Sequence, residues 1–254
     1  MESRRQDRIN RLVQAIRQND KLHLKEAASL LGVSEMTIRR DLSLAPGPLV
    51  LLGGYVVAQP RNTAVSSYLL TDQQTRHVAE KQHAAQIAAR LIQPDHTVFF
   101  DCGTTTPYII DAIDNDLAFT GVCYSLNTFL ALQSKPHCRV ILSGGEFCAS
   151  NAIFRPLGFH NVRDNICPDL ALFSAAGVDS QRGATCFNLD ELPLKQWALQ
   201  AARRHILVVD ASKFGKVRPA CMGPLNAFDS IISNQQPPGS IVQSAQQEGI
   251  ELLW

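Results

Sequence analysis

Residues 21–42, KLHLKEAASLLGVSEMTIRRDL, read as a helix, a tight turn and a second helix, a shape that lets a small domain lay one helix in a DNA groove. In the first helix Leu24, Ala27, Ala28 and Leu31 fall at helical spacing and make one apolar face. Gly32 supplies the turn. Ser34 stands where an N-cap belongs, its hydroxyl able to accept an orphan backbone N–H, while Ile38 and Leu42, one turn apart, point back to the first helix. Glu35, Met36, Thr37, Arg39 and Arg40 are left facing outward, within reach of base edges and phosphates. Spacing alone also fits two amphipathic helices that only pack together.

The flanking segments extend the same reading. From Glu2 to Asn19 the residues Ile9, Leu12, Val13 and Ile16 form an apolar stripe, and arginines at 4, 5, 8, 11 and 17 cover the remaining surface, as on a solvated helix face that could also touch phosphate. Pro46 and Pro48 must break the chain after Leu42. Residues 49–52 and 55–57 then read as two short strands around Gly53-Gly54, the wing of a winged helix-turn-helix. With this setting in view, VSEMTIRRDL closely resembles the recognition helix of the DeoR family of bacterial repressors, and the resemblance implies docking in the major groove of double-stranded operator DNA through Ser34, Glu35, Met36, Thr37, Arg39 and Arg40. The family usually carries an Arg and a His just before the paired glycines, where this chain has Leu51 and Leu52. That departure bears on whether the wing touches DNA.

Composition sets bounds on the rest. At 254 residues and 45% hydrophobic content the chain can bury one large core or two modest ones. The net charge of +1 provides no global field toward nucleic acid, so DNA affinity must come from a local patch. Residues 1–60 hold nine basic and six acidic side chains, against fifteen and seventeen in the remainder, which places the basic excess in the DNA-binding part. The seven cysteines are scattered, odd in number and never spaced Cys-x-x-Cys, so neither a metal site nor a disulfide framework is expected. With a charged N-terminus, no signal core and no run long enough to span a bilayer, a cytoplasmic location is expected.

The expected domains are 1–58, a winged helix-turn-helix; 59–71, a linker around Pro60; and 72–254. The last opens on a helix, Asp72 to Ile92. Strands are expected at 97–100, 119–124, 139–142, 170–174, 206–209 and 229–233, with helices near 107–113, 127–132, 193–203 and 241–247, and residues 250–254 as a closing strand. Such alternation predicts an α/β domain with a mainly parallel sheet.

In such a sheet ligands bind beyond the carboxyl ends of the strands. Polar clusters follow the predicted strands at 101–107, 125–127, 143–146, 174–185 and 210–213. In the first, Gly103 lets the backbone approach an anion, Thr104, Thr105 and Thr106 add hydroxyl donors, and Pro107 suits the first turn of a helix. Threonines in that place can also simply cap the helix. In the last cluster, Lys213 could pair with a phosphate. The motifs FFDCGTTT, LSGGEF, FSAAGV and VVDASKFGK resemble the effector domain of the DeoR family, a fold similar to ribose-5-phosphate isomerase. The resemblance implies that the 103–106 loop holds a phosphate, that Lys213 contacts the ligand, and that Lys81, Asp101 and Asp179 line the site. Many family members have Thr-Asn where this chain has Cys123-Tyr124. CYSLNTFLAL, ASNAIF, GATCFNLDELPLK and SKFGKVRPA are similar to family members that control deoxyribonucleoside catabolic genes, and imply deoxyribose 5-phosphate as effector. The residues by themselves point only to a small phosphorylated, polyhydroxylated ligand.

The leading expectation is a homo-oligomeric repressor that places two recognition helices on a two-fold operator and is released by a sugar phosphate, with no cofactor. The effector could also be a ketose phosphate or a phosphorylated amino sugar. The competing reading is a sugar-phosphate isomerase, with Glu191 or Asp179 as base and Lys213 as the cation for an enediolate. The isomerases that the fold resembles place a lysine-glycine pair and a glycine run after the strand, where this chain has Arg182-Gly183-Ala184, and catalysis is not expected.

Overall fold

The structure, a computed structural model, describes residues 2–19, 21–43, 49–52, 55–58, 76–149, 151–157 and 165–254. It divides into two compact units, Met1–Ala64 and Val65–Trp254. The linker expected at 59–71, the proline break after Leu42, Gly53-Gly54 of the wing and the start of the helix expected at Asp72 lie outside the described residues.

In the first unit, helix α1 (Glu2–Asn19) leads into strand β1 (Lys21–His23), helices α2 (Leu24–Leu31) and α3 (Glu35–Ser43), and strands β2 (Leu49–Leu52) and β3 (Tyr55–Ala58). The stripe read from the sequence does pack the core: Leu12, Ile16, Leu24, Ala27, Ile38, Leu49 and Val56 are buried together. The wing strands pair antiparallel, with Val50 opposite Val57. β1 was not expected. It joins the other edge of β3 with Leu22 opposite Val56, so that α2 begins only at Leu24. His23 caps that helix, accepting from Lys25 N at 3.2 Å while Glu26 reaches back to His23 N at 3.0 Å, a capping box built on a histidine. Gly32 ends α2 at φ 64°, the left-handed conformation that a side chain disfavours.

The second unit is built on a seven-stranded parallel sheet whose described strands run β15-β14-β12-β9-β4-β5-β6. These are β4 (Thr97–Phe100), β5 (Phe119–Cys123), β6 (Cys138–Leu142), β9 (Leu170–Phe173), β12 (His205–Val208), β14 (Ser230–Ile232) and β15 (Glu251–Leu253). Alternate residues feed two cores on opposite faces. Val98, Phe100, Leu172 and Val208 face one core, against helix α4 (Val78–Ala89) through Ala84, Ala85 and Ala88. Phe99, Phe173 and Leu207 face the other, against helix α7 (Leu192–Ala201) through Leu194 and Ala198. Cover on both faces is why these strands read as continuous apolar runs. Helices α5 (Thr106–Asp111), α6 (Leu126–Gln133) and α8 (Gly239–Glu248) complete the alternation.

Five further strands were not foreseen. A hairpin of β7 (Glu146–Cys148) and β8 (Ile153–Arg155) follows β6, and β10 (Gly177–Asp179), β11 (Gly183–Cys186) and β13 (Ala220–Gly223) form a small antiparallel sheet. Chain order also reverses across the main sheet: β4, β5 and β6 run outward one way, and β9 is laid on the opposite side of β4. A crevice is expected at that switch point, beyond the carboxyl ends of β4 and β9.

Candidate functional site

The first unit presents α3. Ser34 caps it as expected, its Oγ accepting from Thr37 N at 3.2 Å, and the Ser34 and Thr37 hydroxyls share a hydrogen bond of 2.9 Å. Ile38 is buried and fixes which side faces inward. Met36, Arg39 and Arg40 stand out at spacings of three and four residues, so they share one exposed face, with Met36 72% exposed; Glu35 and Thr37 are half-buried at its edge. An exposed thioether of this size beside two guanidinium groups suits contact with thymine methyls, guanine edges and phosphates.

The helix is also held from behind. Arg8 Nε donates to Asp41 Oδ2 at 2.7 Å, Arg5 donates twice to Asp41 O at 3.0 and 2.9 Å, and Arg11 donates to Leu30 O at 3.0 Å. The hydrogen bond from Arg8 to the Asp41 carboxylate raises the guanidinium pKa above its ordinary value. These three arginines, read from the sequence as a solvated face, are instead engaged with the helix pair.

At the switch point of the second unit, Asp101 follows β4 and is fully buried. Tyr124 Oη donates to Asp101 Oδ1 at 2.7 Å, Ser174 N and Oγ donate to Oδ2 at 2.9 and 2.8 Å, and Lys195 Nζ pairs with the same oxygen. Burial alone would raise the carboxyl pKa, but Lys195 and these donors outweigh it and hold Asp101 ionised, below the usual carboxylate range. Burial likewise opposes the Lys195 charge, and Asp101 more than restores it. Asp101 thus ties the ends of β4 and β9 to Tyr124 and to Lys195 of α7. Phe99 stacks on Tyr124 at 5.9 Å between ring centroids and holds the phenol in place.

The 103–106 loop follows β4 beside Ser174. A Cβ on Gly103 would lie 1.8 Å from Ser174 Oγ, so this glycine makes room for the neighbouring strand's loop. Thr105 and Thr106 are buried, and Thr104, like Gly103, is half-buried. Of the other clusters, Ser125 caps α6 through Thr128 N at 3.2 Å, and Gly145 permits contact with Arg155 O, which a Cβ would meet at 2.0 Å.

Lys81 and Lys213 lie near enough for their charges to interact. Lys81, on α4, is fully buried and donates to Arg76 O at 2.8 Å. Burial, reinforced by the charge of Lys213, lowers its pKa to about 8. Lys213 follows β12; burial lowers its pKa too, with Asp210 opposing. Asp210 is fully buried, and its Oδ2 accepts no hydrogen bond among the described residues while lying 3.7 Å from Lys213 Nζ. A cleft opens here, lined by Arg76, His77, Ala176, Phe187, Ser212, Lys213, Lys216 and Arg218. Arg218 lies over the Phe187 ring at 4.9 Å and donates from its backbone to Thr185 Oγ1 at 2.9 Å. The cations of the lining, Arg76, Lys213, Lys216 and Arg218, make a place for an anion, with buried Asp210 3.7 Å from Lys213 Nζ. Lys216 and Arg218 stand in the motif SKFGKVRPA, but nothing in the sequence assigns them a role of their own. Asp210 stands in the motif VVDASKFGK and opens the 210–213 cluster, without a role assigned to it.

Asp179 sits at the end of β10, where its Oδ1 accepts from Gln181 N and Arg182 N, both at 2.9 Å, and shapes the turn into β11. Glu191 accepts from Asn188 Nδ2 at 2.9 Å and lies 3.5 Å from Lys195 Nζ. Asp179 and Glu191, weighed for isomerisation, are thus engaged with Gln181, Arg182, Asn188 and Lys195. Among the described residues no group of three or more His, Cys, Asp or Glu could hold a metal ion, and no helix is long and apolar enough to cross a membrane.

Comparison with known proteins assigns both units. The DeoR-like helix-turn-helix domain matches residues 8–60, and the DeoR C terminal sensor domain matches residues 76–235. The chain is 60% identical over 254 residues to the deoxyribose operon repressor of Escherichia coli (strain K12), covering 100% of each. It is 28% identical over 246 residues to the glycerol-3-phosphate regulon repressor of the same strain, covering 96% of this chain and 97% of that one. Among solved structures, ribose 5-phosphate isomerase A from Methanocaldococcus jannaschii aligns over 53% of each chain with 15% identity and a TM-score of 0.40, a level from which nothing about function follows.

Proposed function

Because the chain belongs to the DeoR family, we propose that it represses genes for deoxyribose and deoxyribonucleoside catabolism and leaves its operator when deoxyribose 5-phosphate occupies the cleft beside Lys81 and Lys213. It is a DNA-binding transcriptional repressor and not an enzyme. The observation that carries the effector reading is the charge pattern of that cleft. Buried Lys81 and half-buried Lys213, both lowered in pKa, lie near Asp210, whose Oδ2 accepts no hydrogen bond among the described residues. A phosphate dianion relieves the repulsion between the cations, and a sugar hydroxyl gives Asp210 a donor.

In this reading residues 1–58 serve DNA, 59–71 are a linker and 72–254 serve the effector. On the DNA side, Met36, Arg39 and Arg40 read bases and phosphates, with Ser34, Glu35 and Thr37 at the edge of the contact. On the effector side, Lys81, Lys213 and Asp210 hold the ligand, Thr104 borders the crevice, Gly103, Thr105 and Thr106 shape it, and Asp179 orders the neighbouring turn. Two copies of the chain meet a two-fold operator, with half-sites about one helical turn apart or a multiple of it. A repressor of bacterial genes acts in the cytoplasm. Release requires that the effector bind the operator-incompetent state more tightly, since a ligand with equal affinity for both states shifts nothing.

Calorimetric titration with deoxyribose 5-phosphate, ribose 5-phosphate and free deoxyribose tests the effector reading. Binding of the deoxy phosphate in preference to both others is the expected result. Equal binding of the two phosphates would remove the specific effector while keeping the anion site, and binding of neither would remove the site assignment.

A further inference from the structure

Arg5, Arg8 and Arg11 are spaced three residues apart, so their side chains form one row along α1. Each bond from the row ends near the C-terminus of a helix of the helix-turn-helix. Leu30 O lies in the last turn of α2 and Asp41 O in the last turn of α3, where carbonyls lack partners within the helix and carry the negative end of its dipole. Guanidinium groups are suited to both needs, offering several donors in a planar fork together with a positive charge. The Asp41 carboxylate, 4% exposed, adds an ion pair to Arg8 that is shielded from solvent far better than a surface pair.

We propose that this arginine row is a positioning frame: Arg5 and Arg8 grip α3 at Asp41, Arg11 grips α2 at Leu30, and together they fix the angle at which the recognition helix meets DNA. Asp41 acts through the helix it anchors and does not contact DNA. The frame rests on the assignment of α3 as the DNA-reading helix. It makes a demand that surface charge alone does not, because Asp41 is an anion on a helix that must approach a polyanion. Removing its charge strengthens DNA binding if Asp41 is only electrostatically present, and weakens specific binding if it holds the helix in place.

The test uses the full-length chain and compares Asp41→Asn, Arg8→Gln and the exchange Arg8→Asp/Asp41→Arg on operator DNA and on an unrelated duplex across a range of salt. The expected result is a loss of operator affinity of roughly tenfold or more for each single variant, the order of a charge-assisted hydrogen bond, and partial recovery in the exchange variant. Affinity for the unrelated duplex holds or rises in Asp41→Asn, and its salt dependence is unchanged in Arg8→Gln. Operator affinity in Asp41→Asn equal to or above the parent would overturn the frame. So would a salt slope in Arg8→Gln reduced by about 0.9, the signature of one lost phosphate contact. Should Asp41→Asn lose helical circular dichroism, Arg5→Gln removes only the bonds to the Asp41 carbonyl, and unchanged operator affinity in that folded variant would overturn the frame as well. A parent chain that binds no operator would instead defeat the DNA-reading assignment itself.

Discussion

Lys81 shows how much one residue's environment can decide. Its ordinary pKa of 10.5 falls to about 8 on burial and through the nearby charge of Lys213. An anion favours the charged lysine, so effector affinity should be greatest between about pH 6, above which a phosphate ester is a dianion, and about pH 8, and should fall as pH rises further. Calorimetry across that range should show the falling limb in the parent and its loss in Lys81→Met. The unliganded protein carries the opposite dependence. Between about 8 and 10.5 the unfolded chain keeps a proton that the folded chain has released, so stability rises with pH over that window. Residues of the two units should separate cleanly. Arg39→Ala or Arg40→Ala should weaken operator binding by about 1–3 kcal/mol if each reads a base and leave effector affinity unchanged. Lys213→Ala should weaken effector binding and yield a repressor that stays on its operator. Loss of DNA binding in Lys213→Ala with normal effector affinity would overturn the cleft assignment.

At the scale of the element, glycines mark where backbones must meet or turn. Gly103→Ala would press a methyl group to within 1.8 Å of Ser174 Oγ, and the loops after β4 and β9 would have to separate. A loss of about 1–3 kcal/mol in the sensor unit is expected, of the size seen for overpacking, with weaker effector binding alongside; thermal unfolding and calorimetry measure both. Gly32→Ala meets no atom within 4 Å, and its cost is the strain of φ 64° alone, about 1 kcal/mol, confined to the helix-turn-helix. The strands of the main sheet were legible because burial on both faces leaves unbroken apolar runs such as Leu170–Phe173. β1, β7 and β10 were not, since each is three residues long and is created by its partner strand: Lys21–His23 shows no alternation until Val56 lies opposite Leu22. Long-range pairing escaped in the same way. Nothing in Asp101 or Lys195 announces that two charged residues 94 positions apart meet in the interior.

For the whole molecule, the division of labour could be read before any coordinates: an amphipathic helix pair with a basic outer face, then alternating strands and helices ending in polar loops. The cleft was only half legible. Lys213, Lys216 and Arg218 stand in the motifs VVDASKFGK and SKFGKVRPA, whereas Arg76, His77, Ala176 and Phe187 reach the same cleft only through folding. The central claim is that one chain couples these two sites, and it is tested most directly by watching operator DNA and effector together. A fluorescent duplex selected by the full-length protein from a random pool would be bound at limiting concentration, and its anisotropy followed as deoxyribose 5-phosphate is added. The account predicts release of the DNA at effector concentrations matching the calorimetric affinity, and no release from the Lys213→Ala protein over the same range. Operator that stays fully bound when the cleft is saturated with deoxyribose 5-phosphate would contradict it.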